Sequence, residues 1–290
     1  MKHMIKYKQV IIITILLSVL SCKVQTTKTK FNNIKFEISD YNLLFTKVEI
    51  NGKMYTALID FGDFAEFQIS TKLINELKLS TKNSDVIMSD IDGNQYALEE
   101  GILHQIKIGD KIENNVTFYS ANNEIDAVSQ EVGTDFQVVV GYGYFRSKDF
   151  KLDFVTKTIE FLNPKTTDAN FSFSKNTDYG YLIGNFVSNE NEKVNLLFDT
   201  GTPISKIDTK RFSASLKDST VKFLNTEFPS KLLKIKSMNQ TMTLNMESSD
   251  ISELEPLGVV GIYGVNDMIG KVFLHRASEK LVRIETAANN

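Results

Sequence analysis

Two short stretches decide how this chain is read: Leu197-Phe198-Asp199-Thr200-Gly201-Thr202 and Leu58-Ile59-Asp60-Phe61-Gly62-Asp63. Each runs two apolar residues into an aspartate and then, one residue later, reaches a glycine. An apolar strand ending this way delivers a carboxylate into a turn, where glycine lets backbone approach closely and leaves amide hydrogens free to hold the acid. Asp-Thr-Gly by itself is a common turn sequence. Its surroundings, however, repeat. Asp40-Tyr41 precedes a hairpin and then Asp60, and Asp178-Tyr179 precedes a hairpin and then Asp199, at offsets of 20 and 21 residues. Farther on, Val138-Val139-Val140-Gly141 is followed by two strands, Lys151–Phe154 and Thr158–Leu162. Gly258-Val259-Val260-Gly261 is followed likewise by Lys271–Leu274 and Leu281–Ile284.

Outside these motifs the chain alternates polar and apolar residues with period two, as in Lys35-Phe36-Glu37-Ile38 and Thr46-Lys47-Val48-Glu49-Ile50, and Asn51-Gly52 is a hairpin signal. The expected fold class is all-β: two pseudo-symmetric lobes with a cleft between them and few short helices. Helix is expected over Thr71–Leu77 and in a short turn near Tyr142–Lys148. The Pro164–Asn170 linker separates lobes placed at residues 31–165 and 166–290.

Composition narrows the chemistry. Of 290 residues, 42% are hydrophobic and 24% charged, which excludes a disordered or fibrous chain. Lys plus Arg number 33 against 36 Asp plus Glu, with no basic block long enough to track a phosphate backbone, so nucleic acid is not an expected partner. A single cysteine, Cys22, excludes a disulfide framework and a thiolate zinc cluster. His3, His104 and His275 are too scattered in sequence to suggest a metal site. The two aspartates remain. If the lobes face each other across a pseudo-twofold axis, Asp60 and Asp199 meet at the cleft. Two carboxyls in contact cannot both ionise cheaply, so the pair holds one proton over a wide pH range. One member can then take a proton from water while the other gives one to a carbonyl oxygen.

On these motifs the sequence resembles the retropepsin-like and pepsin-like aspartic peptidases, in particular single-chain, two-lobed bacterial relatives bearing a signal segment. The resemblance runs from about Phe36 to Ile284. The stretch from Leu197 to Thr202 fits the apolar-apolar-Asp-Thr-Gly-Ser/Thr motif at every position, and Val139-Val140-Gly141 and Val259-Val260-Gly261 resemble the apolar-apolar-Gly element that passes under each Asp loop. The resemblance implies Asp60 and Asp199 as the catalytic dyad, Gly62, Thr200, Gly201, Thr202, Gly141 and Gly261 as loop support, a peptide or protein substrate, a monomer and no cofactor. It also implies two functional alternatives, an endopeptidase or an inactive relative that binds peptide or another ligand in the cleft.

The first motif departs from the pattern. The family places Thr or Ser where Phe61 stands, and its hydroxyl forms half of a lock across the lobe junction. Phe61 cannot supply that hydroxyl and must be accommodated by repacking or by a wider loop spacing. Asp63 adds a negative charge beside the dyad, raising the carboxyls' proton affinity and disfavouring the singly ionised state. Ser89–Tyr96, containing Asp92, Gly93 and Tyr96, is the candidate flap, whereas Leu232–Met246 lacks glycine and shows no comparable tip. His104 and His275 are read as ordinary strand residues, Tyr142–Phe145 as a helix start packed on the core, and Lys231–Lys236 as a strand with one wet face.

The N-terminus reads as an address. Lys2, His3, Lys6 and Lys8 precede an apolar run from Val10 to Leu20, about 16 Å long as a helix and too short to span a bilayer. Val19-Leu20-Ser21-Cys22 resembles a bacterial lipobox, so residues 1–21 are expected to be a lipoprotein signal peptide, Cys22 the acylated residue and residues 22–30 a tether. This implies a lipid bilayer as partner and a place in the bacterial cell envelope, periplasmic or surface-facing.

Overall fold

The computed structural model describes residues 33–89, 95–121, 123–162, 173–176, 180–212, 216–237 and 240–286. The signal segment, Cys22, the tether, the Pro164–Asn170 linker and the flap residues Asp92 and Gly93 lie outside these residues. Asn32–Asn290 forms one compact unit. Among the described residues no helix is long and apolar enough to cross a membrane.

The first half comprises β1 (Asn33–Lys35), β2 (Glu37–Ile38), β3 (Leu44–Ile50), β4 (Lys53–Asp60), β5 (Phe67–Ile69), β6 (Thr81–Ser89), β7 (Gln95–Ile108), β8 (Lys111–Ser120), β9 (Val138–Gly141), β10 (Phe150–Asp153) and β11 (Thr158–Phe161), with helices α1 (Thr71–Leu77), α2 (Glu124–Glu131) and α3 (Tyr142–Phe145). The second comprises β12 (Phe173–Asn176), β13 (Tyr181–Ser188), β14 (Lys193–Phe198), β15 (Lys206–Ile207), β16 (Lys217–Phe223), β17 (Thr226–Ser237), β18 (Gln240–Ser248), β19 (Gly261–Tyr263), β20 (Lys271–Arg276) and β21 (Leu281–Thr286), with a 3-10 helix over Ser252–Leu257 and α4 over Val265–Met268.

The halves match strand for strand. One eight-stranded sheet has the order β2-β3-β4-β9-β5-β8-β7-β6 and the other β12-β13-β14-β19-β15-β18-β17-β16, with the corners β3–β7 and β13–β17 also paired. In both, the strand carrying the aspartate lies parallel to the strand that follows the long excursion. The protein is therefore all-β and two-lobed, with aspartic-protease-like pseudo-symmetry. A third sheet, β1-β11-β10-β20-β21, takes strands from both halves and joins them where β10 runs antiparallel to β20, Phe150 opposite His275 and Asp153 opposite Val272.

Local sequence explains the elements. Asn51 and Gly52 adopt positive φ, 52° and 78°, and make the tight turn between Ile50 and Lys53. Ser70 caps α1 by accepting from the Leu73 amide at 3.1 Å, and Lys78 ends the helix in the left-handed region. Leu233 and Ile235 of β17 are buried while Lys234 and Lys236 are exposed, the alternation that the sequence predicts. The largest hydrophobic core runs through both halves, from Ile59, Phe61 and Val140 through Phe150 and Ile159 to Phe198, Phe273 and Ile284. The shared sheet makes that continuity possible, because its side chains pack beneath both Asp-bearing strands.

Candidate functional site

Each aspartate stands at the end of an apolar strand whose backbone is held by its parallel neighbour. Asp60 closes β4 level with Gly141 of β9. β14 pairs with β19 as Leu196 with Gly261 and Phe198 with Tyr263, and the Asp199 amide donates to the Tyr263 carbonyl, so Asp199 falls level with Gly264. The sequence reading placed Gly261 under the second loop. The structure puts it three residues too early, where a Cβ would stand 2.6 Å from the Lys206 carbonyl oxygen. Gly264 takes the supporting role: it caps α4 as Gly141 caps α3, and Val265 donates to the Thr202 carbonyl as Tyr142 donates to that of Asp63. Val259-Val260-Gly261 looks like the motif, but Ile262-Tyr263-Gly264 is the run that lies beneath the loop.

The two Asp loops meet face to face. A Cβ on Gly62 would come within 2.6 Å of the Asp199 carboxyl carbon, and one on Gly201 within 2.5 Å of Asp60 Oδ2. Only glycine fits at either place, and each carboxyl lies over the glycine of the opposite loop. Asp60 Oδ1 accepts from the Gly62 amide at 2.8 Å; Asp199 Oδ1 accepts from the Gly201 amide at 2.7 Å, and its Oδ2 from the Thr202 hydroxyl at 2.6 Å. Burial among the loops, then the charges of Asp199 and Asp63, hold the Asp60 carboxyl well above the usual carboxylate range.

Thr200, fully buried, supplies the cross-lobe lock: its hydroxyl accepts from the Phe61 amide at 2.9 Å and donates to the Ile59 carbonyl at 2.8 Å. Phe61 offers no hydroxyl, yet its main chain takes part. Its ring is 2% exposed and packs against Tyr142, Phe145 and Phe150 with centroids 5.8, 5.1 and 5.6 Å away. Of the two accommodations expected for the large side chain, repacking is the one that occurs, into an aromatic cluster under the loop.

Asp63 occupies the place in the first loop that Thr202 occupies in the second. Its Oδ1 accepts from the Ala65 amide at 2.9 Å and its Oδ2 from Gln68 Nε2 at 2.7 Å, so it turns toward β5. Burial is the main influence on its acidity, only partly offset by those two donors, and pushes it up to about 6. Gln68 was not singled out in the sequence; a lone glutamine on a short strand carries no signal without its neighbours.

β6 and β7 form the hairpin expected of the flap, with Met88 opposite Tyr96 and Ser89 opposite Gln95. The second half also carries a hairpin at the equivalent place, which the sequence reading did not expect. It is β16–β17, turned by Leu224 and Asn225 at φ 47° and 68°, earlier in the chain than the stretch inspected for it. Its Phe223 ring lies 6.3 Å from Tyr41 of the first half. His104 is exposed, and His275 is buried between the Tyr142 hydroxyl at 3.0 Å and the Lys148 carbonyl at 2.9 Å. Among the described residues no group of three or more His, Cys, Asp and Glu side chains is placed to hold a metal ion.

Two β-lobes of one topology, each carrying an aspartate on an apolar strand to a common junction, define the aspartic-protease class of fold. Residues 46–143 match the family model described as aspartyl protease, a stretch that runs from β3 through Asp60 and Gly141 into α3, and the chain is an aspartic-protease-like relative. No curated protein matches the chain at a significant level.

Proposed function

We infer that this protein is an aspartic endopeptidase that hydrolyses peptide bonds in the cleft between its lobes, with Asp60 and Asp199 as the dyad. The observation that carries the reading is the reciprocal seating of the two carboxyls, each over the glycine of the opposite loop. In that arrangement one carboxylate takes a proton from water as the water oxygen attacks the scissile carbonyl carbon. The other carboxyl gives its proton to the carbonyl oxygen, and the resulting diol collapses when the amide nitrogen is protonated and leaves. An extended peptide can add as a strand along the hairpin edges. Acylation at Cys22, which the lipobox-like sequence supports, anchors the enzyme in a bacterial envelope as a monomer.

The test is incubation of the chain lacking residues 1–22 with a mixed peptide library, beside Asp60→Asn and Asp199→Asn. Cleavage by the parent that both variants lose is the expected result. Silence from all three proteins, with the library peptides still retained by the folded parent, overturns hydrolysis in favour of a binding module. Labelling with radioactive palmitate in a bacterial host, lost in Cys22→Ser, checks the anchor.

A further inference from the structure

The two halves of the site are unlike in one respect that the dyad does not need. Asp199 receives the hydroxyl of Thr202, three residues downstream, whereas Asp60 has Asp63 at that position and receives no side-chain donor from it. Asp63 is 7% exposed and fixed at both oxygens, by the Ala65 amide and by Gln68 Nε2. Gln68, 5% exposed, reaches in turn to Met88 Sδ on β6 at 3.4 Å, the strand that leads to the flap. A carboxyl held this firmly beside the dyad is fixed in place, and above about pH 6 it carries a negative charge there.

We propose that Asp63 is a positioning residue for the dyad: by standing where the second lobe carries a hydroxyl, it places the shared proton on Asp60 and leaves Asp199 to accept the proton of the attacking water. The proposal rests on the peptidase reading for its kinetic consequence, and for its electrostatic one on the place of Asp63 in the same loop, its amide donating to the Asp60 carbonyl at 3.3 Å, together with the charge it presents to Asp60. A negative charge near Asp60 and a missing donor both favour its protonated form, whereas Asp199 receives two donors, the Gly201 amide and the Thr202 hydroxyl. The titratable groups bearing on Asp63 are Asp60, at the end of β4, and Asp199, at the end of β14. β5 presents the neutral Gln68 and β6 the neutral Met88 behind it. The β9–α3 junction presents the main chain of Gly141 and Tyr142, the Tyr142 hydroxyl turning away to His275, and Glu66 of the same loop is exposed.

The sign of the effect follows. Losing the Asp63 charge lowers the proton affinity of Asp60, so the dyad surrenders its shared proton at lower pH and the upper limb of the activity profile moves down. Peptide hydrolysis by the full chain as a function of pH, for the parent, Asp63→Asn and Asp63→Thr, reads this directly. The limb is expected to fall by about one pH unit in Asp63→Asn and farther in Asp63→Thr, which also offers Asp60 the hydroxyl that Thr202 gives Asp199. Asp63→Glu, which keeps the charge, is expected to return the limb toward the parent position. A second reading needs no turnover: carboxyl NMR titration of isotope-labelled aspartate should show the Asp60 resonance titrating lower in both uncharged variants. An unmoved limb with kcat reduced equally at every pH, or an unmoved Asp60 resonance, overturns the proposal. Absence of cleavage in the parent with a displaced Asp60 titration sinks the peptidase reading and leaves the electrostatic role of Asp63 standing.

Discussion

At the scale of single residues, Phe61 and Thr200 divide a task that the family pattern shares between two hydroxyls. Thr200 makes both cross-lobe bonds, and valine in its place is expected to cost about 2–4 kcal/mol, because the buried Phe61 amide and Ile59 carbonyl lose their partner. Phe61 has become structural through its ring. Restoring threonine there empties the space among Tyr142, Phe145 and Phe150, and Phe61→Thr is expected to lose about 3 kcal/mol in urea titration despite regaining a hydroxyl. A variant as stable as the parent would show that the aromatic cluster closes without it. Asp63 carries a pH signature in stability. Its folded carboxyl, at about 6, lies above the 3.8 of the unfolded chain, so the folded state binds its proton more tightly and stability falls as pH rises between those values. At roughly 1.4 kcal/mol per pH unit, the parent is expected to lose about 2 kcal/mol between pH 4 and 7 that Asp63→Asn does not lose, measured as the difference in urea midpoints at the two pH values.

Elements were legible where local chemistry decides them. Thr71–Leu77 is helical as the sequence predicts because Ser70 caps it, and Asn51-Gly52 turns because both residues accept positive φ. The register of β19 was not legible: Gly261 and Gly264 both follow apolar pairs, and the choice between them is made by pairing with β14, a contact distant in sequence. The β16–β17 hairpin escaped notice for the opposite reason, since its turn lacks glycine. Leu224 sits there at φ 47°, where its Cβ is unfavourable, and is 43% exposed, so little packing repays the strain. Leu224→Asn is expected to raise stability by about 1 kcal/mol in the same titration, and a loss would place the leucine side chain in a contact that outweighs its backbone.

For the whole molecule, alternation and repetition in the sequence were enough to show two lobes and an aspartate on each. They could not show the shared sheet. Lys151–Phe154 and Lys271–Leu274 read as strands, but β10 and β20 are partners only because the halves pack together, a tertiary fact with no local trace. That sheet and the continuous core beneath it predict that the halves unfold as one. Calorimetry of the chain lacking residues 1–22 is expected to give a single transition with equal calorimetric and van't Hoff enthalpies, and two resolved transitions would contradict it. The pairing of Phe61 with Thr200, and of Asp63 with Thr202, has a consequence for ancestry. A dimer of identical polypeptides must carry every substitution twice, so a bulky ring at one loop would face its own copy and a stray acid would confront another. With both copies in a single gene, each can drift alone, and the tie between Thr200 and the main chain on either side of Asp60 holds the junction closed without a matching hydroxyl at position 61.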